Sequence, residues 1–133
     1  MDLYLENIID HGQNPRNFGE PLAPADIDYQ DDNPFCGDML HLTAQLDDNG
    51  HVKAIRWEGH GCTISQAAAS ILGEEIIGKT LDELKALNRD QLLELLGIEL
   101  SPTRLKCALL SLKVVKSGAY GLGSGSSIDL DED

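Results

Sequence analysis

Three cysteines and one aspartate are the residues of this chain best placed to do chemistry: Cys36 and Asp38 in "NPFCGD" at 33–38, Cys62 in "GHGC" and Cys107 in "RLKC". Cys36 lies on a bend shaped by Pro34 and Gly37, where packing gives a thiol little reason to be, and a carboxylate follows two residues later. Three thiolates and one carboxylate oxygen would complete a tetrahedral zinc or iron site. The cysteines are dispersed, however, without the Cys-x-x-Cys spacing of a zinc finger, so the fold must bring distant points together. Plainer readings stand beside this one: Cys107 as a small core residue of an apolar helix, Asp38 as a turn or strand-start carboxylate. His60, two residues before Cys62, is a further candidate ligand or proton carrier. His41, on the polar side of an alternating run, and His51, beside a turn, read as solvated.

The elements that must position these groups can be read from periodicity. Leu5, Ile8 and Ile9 at helical spacing predict a short amphipathic helix over 2–11 that stops at Gly12. Gly, Asn and Pro punctuate 12–24 as irregular chain, with a short strand expected over 25–29. Residues 39–46 alternate, with Leu40, Leu42, Ala44 and Leu46 on one side. The Asn49-Gly50 turn then leads into a return strand carrying Val52, Ile55 and Trp57. After "EGHG" the period becomes helical: Ile64, Ala67, Ala68, Ile71, Leu72 and Ile76 share a stripe that Gly78 closes. This puts Cys62 at a helix N-terminus, where unsatisfied N–H groups and the dipole favour a thiolate. Thr80 with Glu83, and Asn88 with Gln91, are capping boxes for two further helices, the second ending at Gly97. Ser101-Pro102 opens a last helix expected to run to about Ser117, with Cys107 one turn in. Arg104 and Lys106 place cations near Cys107 in sequence, although consecutive helical side chains point about 100° apart. These elements describe an α+β domain, with helices packed on a sheet whose one end can gather all three cysteines.

At 133 residues and 41% hydrophobic composition, one domain with its own core is expected. The division is 1–118 for the domain and 119–133 for a disordered Gly/Ser-rich, acidic tail. A formal net charge of −13 argues against binding nucleic acid or an anionic membrane surface, and favours metal cations or basic protein partners. An odd number of cysteines without a signal-like leader suits a reducing, cytoplasmic setting better than a disulfide framework.

Taken in order, "NPRNFG" at 14–19, "NPFCGD" at 33–38, "GHGCTISQAAAS" at 59–70, "GKTLDEL" at 78–84 and "RLKCALL" at 104–110 resemble the IscU/SufU/NifU N-terminal domain family. These are iron–sulfur cluster assembly scaffolds and sulfur acceptors. The resemblance implies a three-stranded antiparallel sheet packed with helices. It also implies that Cys36, Asp38, Cys62 and Cys107 hold zinc, iron or a transient [2Fe–2S] cluster. A cysteine desulfurase would deliver persulfide sulfur, with Cys36 the favoured acceptor and Cys107 the alternative, and apo iron–sulfur proteins would receive the product. Such a protein is a scaffold or sulfur carrier more than a turnover enzyme. Two positions depart from the scaffold-type pattern. Lys106 stands where those members have a histidine, and "LSPTR" at 100–104 replaces their "LPPVK", which removes the basis for carrying chaperone contact over to this chain. Lys106 and Arg104 are instead similar to zinc-dependent, sulfur-relaying SufU-type members, although the interval from Cys62 to Cys107 is too short for those members' usual insertion.

Overall fold

The computed structural model describes residues 3–33 and 37–123. Alternation produces the sheet: β1 (Ile27–Asn33), β2 (Asp38–Leu46) and β3 (Val52–His60) form one antiparallel meander in the order β1-β2-β3. Register places Ile27 opposite Ala44, Leu42 opposite Trp57 and Ala44 opposite Ile55, so one face of the sheet carries the apolar residues inward. Leu40, Leu42, Ala44 and Trp57 are fully buried on that face. Leu46, expected to continue the face, is only partly buried because a bulge between Gln45 and Leu46 shifts the register at the turn. The edge strand β1 continues through "QDDN", beyond the expected end at Tyr29. Its polar residues are tolerated because every second one faces outward.

Among the described residues five helices accompany the sheet: α1 (Leu3–Gln13), α2 (Thr63–Ile76), α3 (Leu81–Ala86), α4 (Arg89–Leu96) and α5 (Pro102–Gly123). The stripe predicted for α2 is the buried one, with Ala67, Ala68, Leu72 and Ile76 at 0–1% exposure. Both capping boxes form, at Thr80 and Asn88, and Gly97 ends α4 in the left-handed conformation at φ 69°. Helix α5 packs across β1 and β2 and against α2, which in turn packs against α1. None of the helices among the described residues is long and apolar enough to cross a membrane.

Two helix ends differ from expectation for a common reason. Helix α1 passes through Gly12, and a Cβ there would lie 2.4 Å from Thr63 Cγ2. Helix α5 passes through Gly118, where a Cβ would lie 2.7 Å from Ile27 Cγ2. Both glycines permit close approach between elements and do not stop their helices. The boundary expected at 118 therefore falls inside α5, with Ala119 fully buried, and residues 124–133 of the expected tail lie outside the described residues. The apolar stripe of α1 is also narrower than expected: Ile8 and His11 face inward, while Leu5 and Ile9 are nearly half exposed.

Candidate metal centre

Strand parity explains why Asp38 is inside. It precedes Leu40, Leu42 and Ala44 by even steps, so its side chain projects from the core face at the end of β2, and it is 2% exposed. A buried carboxylate needs donors. The backbone N–H of Cys62 donates to Asp38 Oδ1 at 3.1 Å, and the hydroxyl of Ser65, itself fully buried, donates to Asp38 Oδ2. Two glycines make this approach feasible. At Gly59, φ is 150° and a Cβ would collide with the Met39 carbonyl oxygen at 2.1 Å. At Gly61 a Cβ would sit 2.8 Å from Asp38 Cγ and 2.9 Å from its Oδ1.

Cys62 is the N-cap residue of α2, as the sequence predicts, and is half-buried. Its Sγ lies 3.7 Å from Asp38 Oδ2 and 3.7 Å from Ser65 Oγ. Cys107 comes from the first turns of α5, is 2% exposed, and offers its backbone carbonyl 3.3 Å from the same Ser65 Oγ. Lys106 is exposed while its neighbour Cys107 is buried, in keeping with the rotation between neighbouring helical residues. One ligand atom each from Asp38, Cys62 and Cys107 lies within 4.8 Å of the other two. The edge of a tetrahedral zinc site is about 3.8 Å between sulfurs and about 3.5 Å between sulfur and oxygen, from the usual bond lengths. The three side chains thus fit a small thiophilic ion after modest closure. Strand, helix start and helix interior supply one donor each, so a bound ion would tie β2, α2 and α5 together.

Cys36 lies outside the described residues, two positions before Asp38. His60 is exposed at the end of β3 and does not join the Asp38, Cys62 and Cys107 group. His51 is partly exposed, 3.7 Å from Asp47, in keeping with its solvated reading. His41 does not fit that reading. It bridges all three strands on the outer face, 2.6 Å from Asp28 and 3.3 Å from Glu58, with its side chain 16% exposed. Burial is the largest single influence on this imidazole and disfavours its charge, but the two carboxylates together outweigh it and raise its pKa. The sequence reading missed Ser65, although its position three residues after Cys62 puts it on the same helical face. It also missed the pairing of buried His11 with Ser70, whose Nδ1–Oγ distance is 2.6 Å across 59 positions. No local signal marks that pair.

Comparison with known proteins agrees with this architecture. The model of the NifU-like N terminal domain matches residues 3–122. The chain is 34% identical over 122 residues to the iron–sulfur cluster assembly scaffold protein IscU of Haemophilus influenzae, an alignment covering 86% of this chain and 90% of that protein. It is also 34% identical over 133 residues to the zinc-dependent sulfurtransferase SufU of Bacillus subtilis, covering 87% and 88% respectively. Among solved structures, FiSufU of the SUF system of Fervidobacterium islandicum AW-1 superposes with a TM-score of 0.74 at 26% identity, over 86% of this chain and 94% of that one. Sequence, sheet order and the cluster of two thiols and a carboxylate lead to one assignment: the chain belongs to the NifU-like N-terminal domain family.

Proposed function

We propose that this protein serves iron–sulfur cluster assembly in the cytoplasm. It accepts persulfide sulfur from a cysteine desulfurase, holds iron, a [2Fe–2S] cluster or zinc on Cys36, Asp38, Cys62 and Cys107, and passes its cargo to apo iron–sulfur proteins. The observation that carries the proposal is the meeting of Asp38, Cys62 and Cys107 from three separate elements, with ligand atoms within 4.8 Å of one another. The names of the IscU and SufU relatives support the same chemistry. When bound, zinc or iron keeps the coordinating sulfurs as thiolates.

Cys36 is the favoured sulfur acceptor and completes the donor set. Its thiolate attacks the outer sulfur of the donor persulfide. A new S–S bond forms on Cys36 as the donor's S–S bond breaks, the donor cysteine leaves as thiolate, and no net oxidation occurs. Cys107 takes second place because its 2% exposure leaves a partner's active-site loop little access. Asp38 supplies a hard oxygen among soft sulfurs, the ligand that can open while the thiolates hold. No role for pyridoxal phosphate falls to this chain; that cofactor belongs to the desulfurase.

A second reading, zinc-dependent sulfur relay without cluster building, is favoured by Lys106. With no histidine before Cys107, the available donors are three thiolates and one carboxylate, a closed set for zinc. Anaerobic incubation with a cysteine desulfurase and cysteine, followed by mass spectrometry, tests the shared proposal. A persulfide on a cysteine of this chain is expected, with Cys36→Ser abolishing most of it. Absence of persulfide on every cysteine would overturn the proposal and leave a structural metal module. Adding iron in the same reaction separates the readings: a [2Fe–2S] chromophore marks the scaffold, and retained zinc without a chromophore marks the relay.

A further inference from the structure

The geometry points to Ser65 as a positioning residue that presets Asp38 for metal, an inference that rests on the proposed metal site. One buried hydroxyl reaches three of the four proposed ligand residues. It donates to Asp38 Oδ2, lies 3.7 Å from Cys62 Sγ, and lies 3.3 Å from the carbonyl of Cys107. Its single proton goes to the Asp38 carboxylate, a stronger acceptor than the neutral carbonyl of Cys107.

Helix capping alone does not account for this arrangement. Ser65 is the third residue of α2, the position from which a side chain ordinarily reaches back to the N-cap N–H. Here that N–H, on Cys62, is taken by Asp38 Oδ1, and the Ser65 hydroxyl meets the other oxygen of the same carboxylate. Each oxygen of Asp38 thus meets a donor from the start of α2. Oδ2 is the oxygen held 3.7 Å from Cys62 Sγ, near the sulfur–oxygen edge of about 3.5 Å in a tetrahedral zinc site. Without the hydroxyl, Asp38 keeps its Cys62 anchor but can rotate Oδ2 away from the sulfurs.

Zinc competition against a chromophoric chelator, together with visible absorption of the cobalt(II)-loaded full chain, tests this role. Ser65→Ala is expected to weaken zinc binding by about ten- to a hundredfold, the usual cost of losing a residue that orients a ligand, and to shift the cobalt bands toward those of Asp38→Ala. In an Asp38→Ala background, Ser65→Ala is expected to make no further difference to either readout, because its partner is already gone. Wild-type affinity and spectrum in Ser65→Ala, or an equal loss in both backgrounds, would overturn the inference. Should Ser65→Ala alone fail to fold, the comparison of Asp38→Ala with the double variant still decides: a further loss of zinc affinity in the double variant contradicts the role. Wild-type protein that retains no zinc or cobalt would instead overturn the metal site itself.

Discussion

Asp38 concentrates the site's demands in one side chain: it is buried at the end of a strand, receives the Cys62 N–H and the Ser65 hydroxyl, and is the only oxygen ligand among the sulfurs proposed around it. If it is the exchangeable ligand, its removal slows release of a bound cluster, since thiolates let go of iron less readily. Asp38→Ala reconstituted with iron and sulfide is therefore expected to transfer its cluster to an apo acceptor or chelator more slowly than wild type, followed by the decay of its visible absorption. Unchanged transfer would remove Asp38 from that role. The approach of the carboxylate to Cys62 also depends on Gly61. Gly61→Ala puts a methyl 2.8 Å from Asp38 Cγ, and urea unfolding is expected to show a loss of about 1–3 kcal/mol, typical of overpacking a tight contact. Asp38 was singled out by its two-residue spacing to Cys36, and its burial follows from strand parity with Leu40. Ser65 was not singled out, because a serine in an alanine-rich helix carries no distinguishing signal until its partner from another element is known.

At the scale of elements, periodicity reported the hairpin, the α2 stripe and both capping boxes faithfully, because each depends on neighbours within a few residues. What it could not report was the job of a glycine. Gly97 ends α4 with a left-handed backbone, whereas Gly12 and Gly118 lie inside helices where another element comes close. Backbone conformation separates the two uses, left-handed at Gly97 and helical at the other two, since a close neighbour is present at all three. Differences in close approach predict opposite effects along one helix. Gly118→Ala, pressed against Ile27, is expected to destabilise by about 1–3 kcal/mol. At Gly121 a Cβ meets nothing within 4 Å among the described residues, so Gly121→Ala is expected to stabilise by roughly 0.5–1 kcal/mol through helix propensity alone. Thermal melts of the two variants, compared with wild type, check both signs.

Over the whole molecule, two histidines outside the candidate ligand set make stability depend on pH in opposite senses. Burial against Ser70 lowers the pKa of His11 below its ordinary 6.5, with the Arg16 charge acting in the same direction and Glu74 opposing it. The unfolded chain then binds the extra proton first, so stability falls as pH drops below about 6.5. His41 is raised, so its contribution is fully present below 6.5 and is lost as pH climbs through its folded value. Melting temperature is therefore expected to peak near pH 6.5 between these two influences. His11→Asn should flatten the acid side and His41→Gln the other. An unchanged profile in either variant would contradict the corresponding assignment. The acidic composition that argued against nucleic acid leaves cations as natural company for this surface, but the family and the convergence of distant cysteines came from motif order and the fold, not from charge.

The central proposal is that β2, α2 and α5, with the segment carrying Cys36, present three sulfurs and one oxygen to a single metal ion. X-ray absorption at the zinc edge of the zinc-loaded full chain measures this most directly. The account predicts a shell fitted by three sulfurs at about 2.3 Å and one oxygen at about 2.0 Å, reduced to two sulfurs in Cys62→Ser and in Cys107→Ser. A shell of nitrogen and oxygen alone, or one that neither substitution alters, would contradict it.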